Sequence, residues 1–196
     1  MFEHKANDKT GLRIIIVGCG KVGRTLTEQL SKEGHDITII DTNAVRVQET
    51  TNLHDVMGII GNGASYSVQM EAGIEDTDLI IAVTNSDELN LLCCTIATQV
   101  GNCAAIARVR NPDYSKEVSY LREKLGLALI INPELEAASE IRRVLSFPSA
   151  VKVDTFSRGK VELAEFFVED HSRLNGVELN QLHKITKTNI LVCAVS

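Results

Sequence analysis

RIIIVGCGKVGRTLTEQLSKEGHDITIID, residues 13–41, decides the fold. Arg13–Val17, RIIIV, is a continuous apolar run bounded by glycine, the pattern of a buried parallel strand. Gly18–Gly23 is a glycine-rich turn. Val22, Leu26 and Leu30 then recur four apart, which predicts a helix over 22–32 with one apolar face, and Gly34 stands where such a helix ends. Asp36–Ile40 reads as a second strand, closed by Asp41. A strand, a helix and a strand in this order form a right-handed parallel crossover.

The alternation continues downstream. Helices are expected over 43–50, 65–72, 86–100, 114–125 and 134–145, and strands over 56–60, 79–83, 104–109 and 127–131. Ser86 fits the N-cap of the 86–100 helix, and Asp87 and Glu88 suit the positive end of its dipole. Pro133 fits the first position of the last helix, which ends before Pro148. Six strand–helix repeats predict an α/β fold, a doubly wound parallel sheet of the Rossmann-like kind. Past Pro148 the texture changes. Strands are expected over 150–156 and 160–168 around the turn Ser157-Arg158-Gly159, then a short helical stretch over 179–183 and a strand over 190–195. The expected organisation is a disordered lead-in or tag remnant over 1–11, a nucleotide-binding domain over 12–146, and a small, incomplete α+β unit over 147–196.

Composition narrows the function. Net charge is −6 with no run of Lys or Arg, which argues against nucleic acid as a partner. No apolar run approaches the roughly 18–20 residues of a membrane span, and residues 1–11 lack a signal peptide's hydrophobic stretch. Five cysteines without C-x-x-C spacing point to reduced thiols in the cytoplasm, not a disulfide framework or a zinc site. Aromatic residues are 4% and Trp is absent, so the core must rest on Ile, Val, Leu and Ala.

Gly18-Cys19-Gly20-Lys21-Val22-Gly23 fits G-x-G-x-x-G in the context that gives the pattern meaning: after a strand, opening a helix, with an acid ending the next strand. Gly18 permits the tight turn, Gly20 lets a diphosphate reach the backbone, and Gly23 lets helix and strand pack closely. Free N–H groups and the helix dipole would hold phosphates. Asp41 would accept ribose hydroxyls and repel a 2′-phosphate, which favours NAD or an adenosine nucleotide over NADP, although Arg46 nearby weakens that exclusion. Lys21 either reaches a terminal phosphate or faces solvent. Val83 and Thr84 end the fourth strand beside the expected crevice. Arg108, ending the fifth, either pairs with a phosphate or forms a structural ion pair. The rival reading of the whole motif is a packing turn with Asp41 as a solvated strand end.

Catalytic groups are not apparent. His4, His35, His54, His171 and His183 are scattered, and no metal-ligand cluster stands out. Tyr120 and Lys124 have the Y-x-x-x-K spacing of short-chain dehydrogenases, but Ala107 stands where a serine partner is expected, so they read as one face of an ordinary helix.

The segments IIIVGCGKVG, DITIIDTN, IIGNGAS, AGIEDTDLIIAVTNSDELN and IARVRNPDY resemble the regulator of potassium conductance domain, most nearly in TrkA-type potassium uptake subunits of bacteria. The resemblance covers about residues 12–145, and 149–196 looks like the start of the small TrkA C-terminal domain. It implies a cytosolic, non-enzymatic subunit peripheral to the inner face of the cell membrane. Such a subunit binds NAD, NADH, ATP or ADP and gates a potassium translocator through a dimer or ring. It carries the phosphate loop onto Gly18–Gly23, the ribose acid onto Asp41, a strand-four pair onto Val83 and Thr84, and a phosphate arginine onto Arg108. Many relatives have Asp after the glycine ending strand three, where this chain has Asn62; an Asn side chain can still donate and accept at the adenine edge. Dimerisation would use the helix over 134–145, whose Leu135, Ala138, Ile141 and Leu145 suit a partner-facing stripe or an internal core equally. The alternative function is the cofactor domain of an NAD-dependent oxidoreductase.

Overall fold

The computed structural model describes residues 11–115, 117–146, 150–156, 161–186 and 191–195. β1 (Arg13–Val17), β2 (Asp36–Asp41), β3 (Met57–Ile60), β4 (Leu79–Ala82), β5 (Ala104–Arg108) and β6 (Leu129–Ile131) form one parallel sheet in the order β3-β2-β1-β4-β5-β6. After β1 the chain moves outward to β2 and β3, then returns to the other side of β1 for β4. The loops leaving β1 and β4 therefore part, and a crevice opens at their carboxyl ends.

Side-chain alternation gives each face its own core. Ile15, Val17, Ile40, Ile80, Ala82, Ala105 and Ala107 point to one face, where Cys93, Cys94 and Ala97 of α4 (Asp87–Val100) cover them. Ile14, Ile16, Ile37, Ile39, Ile81 and Val83 point to the other. There they meet Val22, Leu26 and Leu30 of α1 (Lys21–Lys32) and Val47 of α2 (Ala44–Leu53). Ile14, Ile15, Ile16, Ile37, Ile39, Ile40 and Ile80 are all nearly inaccessible. Each such side chain stabilises the fold by about 1.5–3 kcal/mol through burial. Short Ala side chains on β5 let α4 settle close to the sheet.

α3 (Tyr66–Glu71) and a 3-10 turn at Ile74–Asp76 connect β3 to β4. The single helix expected over 114–125 is instead two, α5 (Pro112–Ser115) and α6 (Val118–Lys124). Asn111 accepts the Asp113 N–H at 3.0 Å and starts the first early, at Pro112. Glu117 has a non-helical backbone (φ −111°, ψ 9°) and restarts the second. β6 begins at Leu129, later than the predicted 127.

Two compact units divide between Glu136 and Ala137, inside α7 (Pro133–Ser146). The sequence places the boundary past the end of this helix, at 147–149, which lie outside the described residues. In the second unit β7 (Ala150–Phe156) and β8 (Val161–Phe166) form an antiparallel pair. The turn expected at 157–159 also lies outside the described residues. A 3-10 turn at Leu179–Gln181 runs into α8 (Leu182–Thr186). The strand expected over 190–195 does not form among the described residues 191–195, which join neither sheet. Val151, Phe156, Val161, Leu163 and Phe166 of the hairpin are exposed. A two-stranded ribbon has too little area to bury both of its faces.

Cys19, Cys93, Cys94 and Cys103 are buried, and Cys193 is exposed. Burial pushes the Cys19 thiol up to about 11, with the Asp41 carboxylate adding to the effect, and pushes Cys93 up to about 12. Burial likewise raises Cys94 and Cys103. Unfolded thiols ionise at their ordinary value, so above it the unfolded state binds fewer protons than the folded one and stability falls with rising pH. The stabilisation is complete below about pH 8.5 and is lost progressively toward pH 11, by up to about 1.4 kcal/mol per pH unit for each thiol. Urea midpoints at pH 8 and pH 10 should show this drop. At pH 8 a thiol reagent should modify Cys193 quickly and the other four only on unfolding.

Candidate functional site

The glycine turn places the start of α1 against the end of β1. Gly18 has φ +106°, and a Cβ there would lie 3.1 Å from the Thr84 amide nitrogen. A Cβ on Gly23 would lie 1.8 Å from the Gly18 carbonyl oxygen, so no side chain is possible there. At Gly20, by contrast, a Cβ would meet nothing within 4 Å. Gly20 is open toward the crevice and not packed against the protein.

Two of the helices around the crevice are capped by side chains, while α1 and the short α3 are not. Asn43 caps α2 by accepting the Arg46 N–H at 3.2 Å, and Ser86 caps α4 by accepting the Leu89 N–H at 3.2 Å. Asp87 and Glu88 add negative charge to the first turn of α4. No side chain caps α1, and its first turn carries no acid. Its leading N–H groups and positive dipole end thus face the open side of Gly20, an arrangement suited to an anion.

Asp41, ending β2, reaches back to this loop. Its Oδ2 accepts the Cys19 N–H at 2.7 Å and its Oδ1 accepts the Asn43 N–H at 2.8 Å. Two backbone donors hold the carboxylate in place, and a carboxylate has about four acceptor positions, so it keeps capacity for hydroxyl donors. Arg24, in the second turn of α1, donates from Nε to the Cys19 carbonyl at 3.2 Å and pairs with Glu49 at 3.1 Å.

The remaining predicted residues divide by what they present. Lys21 is exposed. The Cys19 thiol and the Val83 side chain are buried, and Val22 packs on the same core as Val83. These three bring only their backbone to the crevice. Thr84 is half-buried at the end of β4. Asn62, just past β3, is exposed. Arg108 is largely enclosed and pairs with Glu134 of α7. Of the two readings of this arginine, the ion pair is the one observed. Its Nε is buried without a partner.

Three buried polar side chains fasten the crevice loops; Asn90 and Gln69 escaped the sequence reading, and Asp87 was read only for its place at the helix dipole. Asn90 on α4 is fully buried. It accepts from the Thr84 N–H at 2.9 Å and donates to the Arg108 carbonyl at 2.9 Å, so it ties the ends of β4 and β5 together. Asp87 accepts the N–H groups of Arg110 at 2.9 Å and Asn111 at 2.7 Å. Gln69 on α3 is fully buried and donates to the carbonyls of Gly63 at 2.7 Å and Cys93 at 2.9 Å. Asn90 shares one helical face with Cys93, Cys94 and Ala97. A polar residue within an apolar stripe is the signal that could have found it.

Among the described residues of the first unit, the groups weighed for catalysis lie elsewhere; His4 is outside the described residues. Tyr120 is exposed, and Lys124 pairs with its neighbour Glu123. His35 accepts the Leu12 N–H at 3.1 Å, near a shallow depression lined by Lys32, His54 and Asp55 at the amino-terminal end of β2. That is the sheet edge opposite the glycine turn. His171 pairs with Glu169 in the second unit.

Comparison with known proteins identifies the family and the fold. The profile of the TrkA-N domain matches residues 14–133. A Trk system potassium uptake protein TrkA homolog from Archaeoglobus fulgidus is 36% identical over 184 residues, covering 94% of this chain and 41% of the relative. Trk system potassium uptake protein TrkA from Halomonas elongata is 37% identical over 175 residues, 88% of this chain and 38% of its own. The chain thus spans about two fifths of the length of the curated relatives it matches. Among solved structures, the TrkA-N domain of the inner membrane protein YbaL from Escherichia coli superposes with TM-score 0.61 at 24% identity, covering 69% of this chain and 97% of that one. The GsuK channel bound to NAD gives 0.53 at 20% identity, covering 76% and 25%. At these identities the structures show a shared fold.

Replacing Asn90 with Ala should destabilise the chain by about 2–3 kcal/mol, because the Thr84 N–H and the Arg108 carbonyl lose their partner in a buried setting. Asn62→Ala, at an exposed position, should cost less than about 0.5 kcal/mol. Urea unfolding of the two variants makes the comparison, and equal stabilities would remove Asn90 from its fastening role.

Proposed function

Because the chain belongs to the TrkA-N family, we propose that it is the nucleotide-sensing part of a cytoplasmic regulatory subunit. It works at the inner face of the cell membrane on a potassium translocator. One conjunction carries the reading: an uncapped helix start beside the open side of Gly20, with the Asp41 carboxylate held next to it. The donors suit a diphosphate and the acid suits a ribose, so the two together match a nucleotide better than either matches another ligand.

In this reading the amides of Gly18–Gly23 grip the phosphates, Lys21 approaches their outer edge, and Asp41 binds the ribose diol. The backbone of Val83 and Thr84 walls the crevice, and Asn62 meets the base. Arg108 joins only by exchanging Glu134 for a phosphate. NAD or NADH is the leading ligand, with ATP or ADP fitting the same grip; the NAD-bound GsuK channel, which shares the fold, supports the choice. A ligand moves an assembly only as far as its affinities for the two arrangements differ. The assembly proposed is a dimer or higher ring of this chain. Leu135, Ile141 and Leu145 of α7 are 52%, 61% and 73% exposed, which supports a partner-facing role over an internal one. The organisation proposed is a nucleotide domain over 12–146 with a small appended unit after it. Ligand-driven regulation without catalysis is the activity proposed.

NAD, NADH, ATP or ADP at about 100 times Kd should stabilise the fold by about 2.7 kcal/mol. That raises Tm by about 5–10 °C for a chain of this size. Asp41→Ala should weaken binding by about 1–3 kcal/mol, since it removes the ribose acceptor and also frees the Cys19 N–H. Asp41→Asn, which keeps one acceptor oxygen, should lose less. Unchanged calorimetric affinity in Asp41→Ala would contradict the ribose contact, and hydride transfer to a substrate would favour the oxidoreductase alternative. Light scattering at micromolar concentration should show at least a dimer.

A further inference from the structure

Gln69 is the buried residue of α3, and its side chain ends in an amide where a helix facing a core ordinarily carries an apolar group. The amide nitrogen donates to the carbonyls of Gly63 at 2.7 Å and Cys93 at 2.9 Å. Carbonyls only accept, so the nitrogen must lie on their side and the amide oxygen on the other. That oxygen is buried without a partner. An apolar side chain of similar length would avoid this cost.

The two bonds differ in weight. Cys93 sits in the middle of α4, where the helix ladder already serves each carbonyl. Gly63 lies past the end of β3 with no ladder to join, so Gln69 decides the direction of its carbonyl. In a planar trans peptide the N–H points opposite to the C=O. Holding the Gly63 carbonyl inward therefore turns the Ala64 N–H away from Gln69, where Asn62 Oδ1 accepts it at 3.0 Å. Gly63 has no room for a side chain, since a Cβ there would lie 2.3 Å from Val17 Cγ1. A glycine peptide is also the one that turns most freely once released. The loop adjoins the ribose acid, because the Gly61 N–H donates to the Asp41 carbonyl at 3.0 Å.

Resting on the nucleotide reading above, we propose that Gln69 is a positioning residue, which from inside the core holds the loop after β3 in the orientation that receives the ligand. It touches no ligand itself. Without its amide the Gly63 carbonyl can turn to water, and the orphaned oxygen is gone from the core. The fold then loses little, but the loop divides its time between orientations. Apparent affinity falls by the fraction of time in which the receiving orientation is present. Stability and binding thus separate on loss of the amide. A buried hydrogen bond that only supports the fold behaves in the reverse way: its loss lowers stability and leaves the folded site unchanged.

The test compares the full chain with its Gln69→Met and Gln69→Leu variants by urea unfolding, calorimetric titration with ADP and amide hydrogen exchange. Both variants should unfold at a urea midpoint equal to or above that of wild type. Both should bind ADP about tenfold more weakly, as for a loop correctly oriented a tenth of the time. Exchange at Ala64 should be faster in both. Wild-type affinity for ADP in the two variants, or failure of both to fold, would overturn the assignment and leave the nucleotide crevice standing. Absence of ADP binding by the wild-type chain would instead overturn the crevice, and the assignment with it.

Discussion

Nothing can stand between the Gly18 carbonyl and the Gly23 Cα, where an added Cβ would come within 1.8 Å of the oxygen. That contact brings the first turn of α1 onto the end of β1, and much else follows from it. The helix is aimed so that its uncapped N–H groups look out past Gly20 instead of into a loop. The turn that begins at Gly18 is compact enough for Asp41 to accept the next amide, that of Cys19, from the end of the adjoining strand. The acid then serves as fastener of the turn and as an acceptor beside it. A larger residue at 23 would displace helix, turn and carboxylate together, so the geometry is a single constraint more than a sum of contacts.

Around that turn the crevice is held by buried amides and a carboxylate, where a more apolar arrangement would cost less. Burying Asn90 and Gln69 is unfavourable until their hydrogen bonds are made, and then it becomes favourable only in one arrangement. Gln69 Oε1 remains without a partner, so not all of the cost is recovered. What the polar groups provide is position. Thr84, Arg108, Arg110, Asn111 and Gly63 lie at or just past the ends of three different strands, and each has a backbone group held by Asn90, Asp87 or Gln69. Loops at the ends of parallel strands have no ladder to continue. Helix-borne side chains reaching into the space between strand ends substitute for it.

The sheet was readable because its physics is local and strongly patterned. Ile14–Ile16 and Ile37–Ile40 have no polar residue to spare for water except Thr38, so they could only be strands between two helical layers. The glycine turn was readable because Gly18 and Gly23 each answer a separate steric demand, Gly20 stays open between them, and an acid follows at the right place. Asn90, Asp87 and Gln69 were not, because their partners lie 6 to 24 residues away on other loops, and a helical pattern reports only the helix. Arg108 was readable as charged and well placed, but Glu134, 26 residues on, decides what it holds. The split of the expected 114–125 helix was hidden for a similar reason. Asn111 caps the first piece from outside the apolar pattern, and that pattern runs unbroken through the restart at Glu117. In the second unit the strand expected over 190–195 is a continuous apolar run, but the described residues 191–195 join neither sheet, and propensity alone does not hold a strand.

The distribution of reactive groups bears on what the crevice can do. The thiols with the most displaced proton affinity are enclosed and shifted upward, so they stay neutral at ordinary pH. A nucleophile requires the reverse, a thiolate stabilised and exposed. Cys19, the one thiol in the glycine turn, has about 1% of its surface accessible and faces the core. What lines the crevice is a set of fixed donors from α1 and one fixed carboxylate. Such groups can lower the free energy of a bound anion and sugar without altering any bond. In the regulatory reading proposed above, that free energy is not consumed in a reaction, so all of the difference between two arrangements of an assembly is available to shift their populations. In that reading the preorganised loops serve as a detent: a ligand that fits only one loop geometry favours the arrangement of the assembly that keeps it.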